Sequence, residues 1–349
     1  MKNGKVTLGE IARQAGTSTM TVSAVLNGSR SNTRVADETR KRIEKLAAEL
    51  NYSPNAMARG LRRQRTDTIG VLFTWAGSRT IHNLYSMTML DGIVAGAATA
   101  GYHVLLYTQR WESAATSAAT FADQRTDGMI VIAPREDSDV VTGLTALGIP
   151  LAVISSSVKD SCVPGVNIDN DTGMALGLAH LSALGHTRIA YAGQPPERRS
   201  MRERHDAYVC WMAEHKLPIP EGYALTTLST GKSQPALEHL LRLPKPPTAI
   251  FAATDDLAAE VLEAARTVGI SVPEQLSVVG FDDVLVASLT TPKLTTIRLP
   301  LYEMGQQAAQ LLVARIKGRS EADGPSVQII SPELIVRDST ATVPSSLQG

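Results

Sequence analysis

From Thr68 onward the chain repeats one cycle: a short, almost wholly apolar run, then a longer stretch with helical spacing. IGVLF (69–73) opens it, followed by a helix through Met87–Ala100 that Gly101 ends. HVLLYT (103–108), GMIVIAP (128–134) and IPLAVIS (149–155) come next, separated by helices reaching Gln124 and Leu147. After a break around Val163–Asp169 the cycle resumes with a helix at 173–184, RIAYAG (188–193) and a helix at 202–215. TAIFAATD (248–255), a helix at 256–268 and LSVVGFDD (276–283) complete it. Strands apolar on both faces belong in parallel sheets covered by helices on both sides. The expected fold class is therefore α/β, with doubly wound parallel sheets, and two similar runs imply two lobes. Such sheets bind ligands at the carboxyl ends of their strands, so a cleft between the lobes is the expected site.

The amino-terminal end follows a different pattern. Residues 7–28, TLGEIARQAGTSTMTVSAVLNG, read as two short helices around a Gly turn. Leu8, Ile11, Ala12 and Ala15 share one face, and Gly16 supplies the left-handed position that ends a helix. Thr17 or Ser18 caps the next helix, whose buried face is Val22, Val25 and Leu26. This is the plan of a helix-turn-helix, whose second helix enters the DNA major groove; a plain helical hairpin packed on a larger core is the bland alternative. A third helix, DETRKRIEKLAAELNY, carries Ile43, Leu46, Ala47 and Leu50 toward the first two, and Pro54 stops it. The basic segment NAMARGLRRQR (55–65) is too short and too charged for a stable isolated helix, and reads as a linker that folds on its target.

Charge separates the two ends. The chain is formally neutral, yet residues 1–65 hold 13 Lys+Arg against 5 Asp+Glu, leaving 21 against 29 for the rest. A module of +8 on a body of −8 is the footprint of a polyanion binder that touches its target with the small end. Cys162 and Cys210, the only two cysteines, have no metal-ligand spacing and read as buried or incidental thiols, with no metal or cofactor expected. Neither a signal peptide nor an apolar run of membrane-spanning length is visible, so a cytoplasmic protein without a membrane partner is expected. An α/β enzyme is the competing class. No G-x-G-x-x-G follows an expected strand, no Walker motif occurs, and the seven histidines accompany no nucleophile.

In order and spacing these residues resemble the lactose/galactose repressor-type (LacI/GalR) transcription regulators. The resemblance rests on T-L-x-E-I-A-x-x-A-G-x-S-x-x-T-V-S-x-V-L-N, T-R-x-x-I at 39–43, L-N-Y-x-P-N at 50–55 and T-x-x-I-G-V at 66–71. It continues through D-G at 127–128, H-L-x-x-L-G-H-x-x-I-A at 180–190, S-V-V-G-F-D-D at 277–283 and L-T-T-I-R at 294–298. It implies a three-helix DNA-binding domain (1–54), a hinge helix (55–65) and a periplasmic-binding-protein-like core (66–349). In that core the chain crosses between lobes near 163, 292 and 328. It further implies a homodimer on double-stranded palindromic operator DNA, acting as a repressor under a small-molecule effector.

At the DNA end the resemblance assigns base reading to Thr19, Met20 and Ala24, and phosphate contacts to Thr21, Ser23 and Asn27, with Tyr52 and Asn55 as further backbone contacts. Ala24 replaces the Arg of many relatives, so the bidentate guanine contact is lost and apolar contact remains. Leu61 matches the minor-groove wedge of the hinge, flanked by Arg59, Arg62 and Arg63. Ala36 stands where relatives carry a capping Ser, leaving that role to Asp37. For the effector, Arg204, Asp255 and Asp282 match the family's cleft residues, and Ser200 lies one helical turn before Arg204. Asp255 reads equally as the cap of the helix that follows it. Thr254, Ser155 and Leu299 depart from the usual polar set, and Trp75 or Tyr85 replaces an aromatic missing near Ser229. A sugar, a sugar acid or a related metabolite is the expected effector. A corepressor-type or protein-partner-controlled regulator stays open.

Overall fold

The computed structural model describes residues 6–26, 35–53, 60, 65–74, 84–156, 163–196, 198–226, 228, 231–318 and 327–343. The chain forms two compact units, 1–67 and 68–349.

In the first unit, α1 (Leu8–Ala15), α2 (Thr19–Leu26) and α3 (Asp37–Glu49) close on Ile11, Ala12, Ala15, Val22, Val25, Ile43 and Ala47. Thr7 caps α1 through the Glu10 amide, and Gly16 ends it at φ 63°. Ser18, rather than Thr17, caps α2, taking the Thr21 N–H at 3.1 Å. Leu26 is half-buried and packs on this core from its edge. At α3, Ala36 is the N-cap with no side-chain bond, and Asp37 sits in the first turn, where a carboxylate suits the helix dipole. The helix stops before Pro54 is reached. Asn51 adopts φ 48°, and the amides of Asn51 and Tyr52 return to the carbonyls of Ala48 and Ala47, a complete Schellman turn.

The second unit holds two six-stranded sheets. Lobe 1 contains β1 (Thr68–Phe73), α4 (Leu84–Thr99), β2 (His103–Tyr107), α5 (Ala114–Phe121), β3 (Gly128–Ile132), α6 (Val140–Ala146), β4 (Leu151–Ile154) and β5 (Gly165–Ile168). Lobe 2 contains α7 (Asn170–Ala183), β6 (Ile189–Ala192), α8 (Arg199–Glu214), β7 (Ala224–Leu225), α9 (Ser233–Leu241), β8 (Ala249–Ala252), α10 (Asp255–Val268), β9 (Ser277–Asp282), α11 (Leu285–Leu289) and β10 (Thr295–Arg298). Helix α12 (Leu301–Ile316) and β11 (Val327–Ile330) return to lobe 1, and β12 (Glu333–Ile335) ends in lobe 2. The strand orders are β11-β5-β4-β3-β1-β2 and β12-β10-β9-β8-β6-β7, parallel except for the β10–β12 pair.

Alternate residues explain the double winding. Ile69, Val71, Ile130 and Ile132 face α4 and α12, while Leu72, Met129 and Val131 join Phe121 and Leu144 on the opposite face. The chain passes between the sheets at Asp169, at Leu299–Pro300 and at Ser331–Pro332, a few residues beyond 163, 292 and 328. The shift has a simple cause: β5, β10 and β11 each finish their own sheet before the chain leaves it. The break read at 163–169 is itself mostly strand β5. Cys210 is exposed and Cys162 lies outside the described residues. Among the described residues, no helix is long and apolar enough to cross a membrane.

Helices α4 and α12 approach through Gly92, Gly96 and Gly305. A Cβ on Gly92 would strike the Tyr302 carbonyl, which is main chain and has little room to retreat. Ala is a better helix former than Gly by about 1 kcal/mol, but overpacking a tight contact costs about 1–3 kcal/mol or more. Gly92→Ala is therefore expected to lower the melting temperature by several degrees in calorimetry, despite its gain in helix propensity.

Candidate functional site

On the three-helix unit the surface of interest is the amino-terminal half of α2. Thr19 is exposed, and Met20 is 81% exposed in spite of its apolar thioether. Ser23 and Ala24 are half-buried beside them. The Thr21 hydroxyl lies 2.9 Å from the Ser18 oxygen, so it helps to build the cap. Tyr52 is half-buried against the three-helix core. Asn27, Asn55, Arg59 and Leu61 lie outside the described residues.

In the second unit both lobes line one cavity at the carboxyl ends of their strands. Lobe 1 contributes Tyr85 at the start of α4, Ser155 just after β4, and Asn167 and Ile168 from β5. Lobe 2 contributes Asn170 from the start of α7, and Arg199, Ser200, Glu203 and Arg204 from the first two turns of α8. The cavity encloses about 10 Å³, room for one water molecule. A chamber of about 660 Å³ shares Arg199 and Glu203 with it and opens past Pro134, Val141 and Ser156. The Tyr85 and Ser155 hydroxyls pair at 2.7 Å, and burial raises the Tyr85 phenol while that bond opposes the shift. Asn167 accepts the Ser156 N–H at 2.8 Å, and Asn170 donates to Glu203 at 2.8 Å.

Arg204 is the centre of this arrangement, with only 3% of its surface exposed. Its Nε donates to Asn170 Oδ1 at 2.9 Å, and its Nη1 to the Ala253 carbonyl at 2.5 Å and Asp282 Oδ1 at 3.3 Å. Its guanidinium carbon stands 3.7 Å from the centroid of the Phe281 ring, a cation–π contact. Burial pushes the Asp282 carboxyl up to about 7; Arg204 opposes the shift and Asp256 adds to it. Asp282 and Asp283 adopt φ 120° and 51°, conformations L residues rarely hold. The bend sends Asp283 the other way, to Arg298 at 2.7 Å and Arg337 at 2.6 Å.

Of the residues expected from sequence, Ser155, Tyr85, Ser200 and Arg204 share the cavity wall, and Asp282 stands behind Arg204. Two others serve the framework. Thr254 caps α10, accepting the Leu257 N–H at 3.2 Å. Asp255 has no exposed surface; it takes the Val284 N–H at 2.8 Å and the Thr296 hydroxyl at 2.5 Å, and it is absent from the cavity wall. The cap read as one role for Asp255 thus belongs to its neighbour. Burial and the nearby Asp282 raise the Asp255 carboxyl well above the usual range. Leu299 is buried, and Trp75 lies outside the described residues. Asn167, Asn170 and Glu203 were not anticipated. The i, i+4 spacing of Arg199 and Glu203 was the one signal available in sequence. Hydroxyls, amides, guanidinium donors and a carboxylate acceptor share the wall, which suits a small molecule whose groups both donate and accept.

Residues 7–55 match the bacterial regulatory proteins of the lacI family, and residues 178–340 match a periplasmic binding protein-like domain. The probable HTH-type transcriptional repressor ExuR of Bacillus subtilis is 30% identical, over 96% of this chain and 98% of its own. Among solved structures, the Lac repressor dimer bound to operator and the anti-inducer ONPF aligns at TM-score 0.83 with 27% identity, covering 96% of this chain and 99% of that one. The transcriptional regulator CelR–cellobiose complex aligns at TM-score 0.72 with 28% identity and the same coverage. These similarities set the enzyme alternative aside in favour of a transcriptional regulator.

Protonation of Asp282 links the site to pH. Its folded pKa lies above the unfolded value of 3.8, so the native state holds the proton more tightly and stability falls as pH rises from about 4 toward about 7. Asp282→Asn removes this dependence. Thermal unfolding at pH 5 and pH 8 should show wild type losing stability relative to Asp282→Asn at the higher pH.

Proposed function

Since the chain belongs to the LacI family of bacterial regulatory proteins, we propose that it is an operator-binding repressor controlled by a small polar metabolite held between its two lobes. It works in the cytoplasm as a homodimer on a palindromic duplex. The DNA-binding domain spans 1–54 and the hinge 55–65. Thr19, Met20 and Ala24 meet base edges, Met20 and Ala24 by apolar contact, while Thr21, Ser23, Asn27, Tyr52 and Asn55 hold phosphates. Leu61 enters the minor groove beside Arg59.

The observation that carries this reading is the cavity itself: a buried guanidinium, Arg204, at a junction that both lobes line with donors and acceptors. Tyr85, Ser155, Ser200 and Arg204 contact the effector, with Asp282 orienting Arg204 from behind. A cavity of about 10 Å³ admits a sugar-sized ligand only if the lobes move apart, so binding and lobe movement are coupled. A sugar or sugar acid fits the chemistry of this wall, and the cellobiose complex of the regulator CelR supports that class. Effector binding changes the distance between paired hinge segments and thereby operator affinity, with a coupling of about 1–3 kcal/mol.

Selection from a random duplex library should return a palindrome whose affinity falls steeply with salt, as phosphate contacts require. A thermal-shift screen of sugars and sugar acids should then identify compounds that also change operator retention, and the direction of that change separates inducer from corepressor. Arg204→Met should weaken the effector response about tenfold or more, since bonds from a charged donor contribute ~1.5–3 kcal/mol. Arg204→Lys keeps a charge beside Asp282 and separates loss of the guanidinium fork from loss of folding. Full effector response in both variants would remove Arg204 from the site.

A further inference from the structure

Outside the ligand cavity, the lobes touch at a second place. Glu136 follows β3 in lobe 1, and Arg202 lies in the first turn of α8 in lobe 2, 66 residues away in sequence. Arg202 Nη2 donates to Glu136 Oε1 at 2.7 Å, and Nη1 pairs with Oε2, so the two planar groups meet fork to fork. Beside them, the main chains of Arg135 and Arg198 meet as an isolated antiparallel bridge, again one residue from each lobe. Asp137 holds the Arg135 guanidinium with two bonds of 2.9 Å, bracing the lobe 1 side of the bridge. Arg135, Glu136 and Arg202 line the 660 Å³ chamber, and neither Glu136 nor Arg202 lines the inner cavity.

We infer that Glu136 and Arg202, with the Arg135–Arg198 bridge, form a clasp that helps to hold the lobes closed through contacts outside the inner cavity. These are positioning residues: they act on the closure equilibrium and not on the ligand. A contact present only in the closed form shifts that equilibrium whether or not a ligand is bound, and apparent ligand affinity scales with the competent fraction. The pair is partly open to solvent, 43% exposed at Arg202 and 40% at Glu136, so water and salt screen it. An ion pair of this kind changes an open-to-closed ratio by about two- to fivefold. Such a shift is enough to tune a response without touching the ligand-contacting residues.

The consequence of closure for operator control rests on the function proposed above, but the clasp is tested without effector or DNA. Hydrogen exchange is followed in the full chain over residues 133–137 and 198–204, with β8 (249–252) as the core reference. Exchange through opening is proportional to the open population when reclosing is fast. Glu136→Arg and Arg202→Glu should each speed exchange about two- to fivefold in both segments and leave β8 unchanged. The double swap should return both segments toward wild-type rates. Single variants at wild-type rates, a swap no slower than the faster single variant, or acceleration that includes β8 would each overturn the clasp. Because the readout is lobe opening alone, a failed effector screen leaves it standing, and a failed clasp leaves the effector site standing.

Discussion

A guanidinium buried to 97% is costly unless every side of it is answered, and in lobe 2 the answer organises the strand ends. Arg204 on α8 draws together Asn170 from α7, the carbonyl after β8 and the carboxylate at the end of β9. Removing one partner from such a pair costs far more than the pair contributes, since it strands a charge away from water. The Phe281 ring beneath Arg204 is itself reached by α7 only because Gly173 has no side chain: a Cβ there would lie 2.7 Å from the ring. One helix, one ring and one cation are therefore fixed as a unit before any ligand arrives.

Backbone strain gathers around the same place. Ala133 and Ser155 follow β3 and β4 at φ 43° and 55°, and Asp282 and Asp283 end β9 at φ 120° and 51°. Residues in such conformations cost about 1–3 kcal/mol each and persist where the surrounding packing overdetermines them. Here the surroundings are two sheets whose interiors are closed on both faces. The strain turns the chain sharply at the cleft, which aims Asp282 inward and Asp283 outward to Arg298 and Arg337.

The parts of the molecule that follow a local rule were legible in sequence. The α1–α2 hairpin follows helical spacing up to its Gly16 stop, and β1, β3, β8 and β9 stand out as short apolar runs set between longer helical stretches. Strand β5 escaped notice because GVNI alternates Gly and Asn with apolar residues and is too short for a period to emerge. Asn167, Asn170 and Glu203 escaped with it, since their meaning lies in which lobe faces which. Asp255 was misplaced for a related reason: beside a helix start, a carboxylate reads as a cap or a ligand group. Its actual role, receiving the Val284 amide and the Thr296 hydroxyl, depends on residues 29 and 41 positions away. The pairing of Glu136 with Arg202 carried no signal, because an ion pair across a cleft follows no spacing in the chain.

The three passages between the lobes are one or two residues long, and two of them are tied to neighbours: the Asp169 amide donates to the Ile330 carbonyl at 3.1 Å, and the Leu299 amide to that of Asp282 at 3.2 Å. A single thread would let the lobes swivel in any direction. Three short threads, side by side, leave a scissor-like rotation about the line through them as the soft motion, while twisting and sliding would have to stretch covalent chain. Whatever opens the molecule at Glu136 and Arg202 must therefore move the far edges of both sheets along the same arc. A shift of a few ångströms at one edge becomes a directed stroke instead of a diffuse loosening.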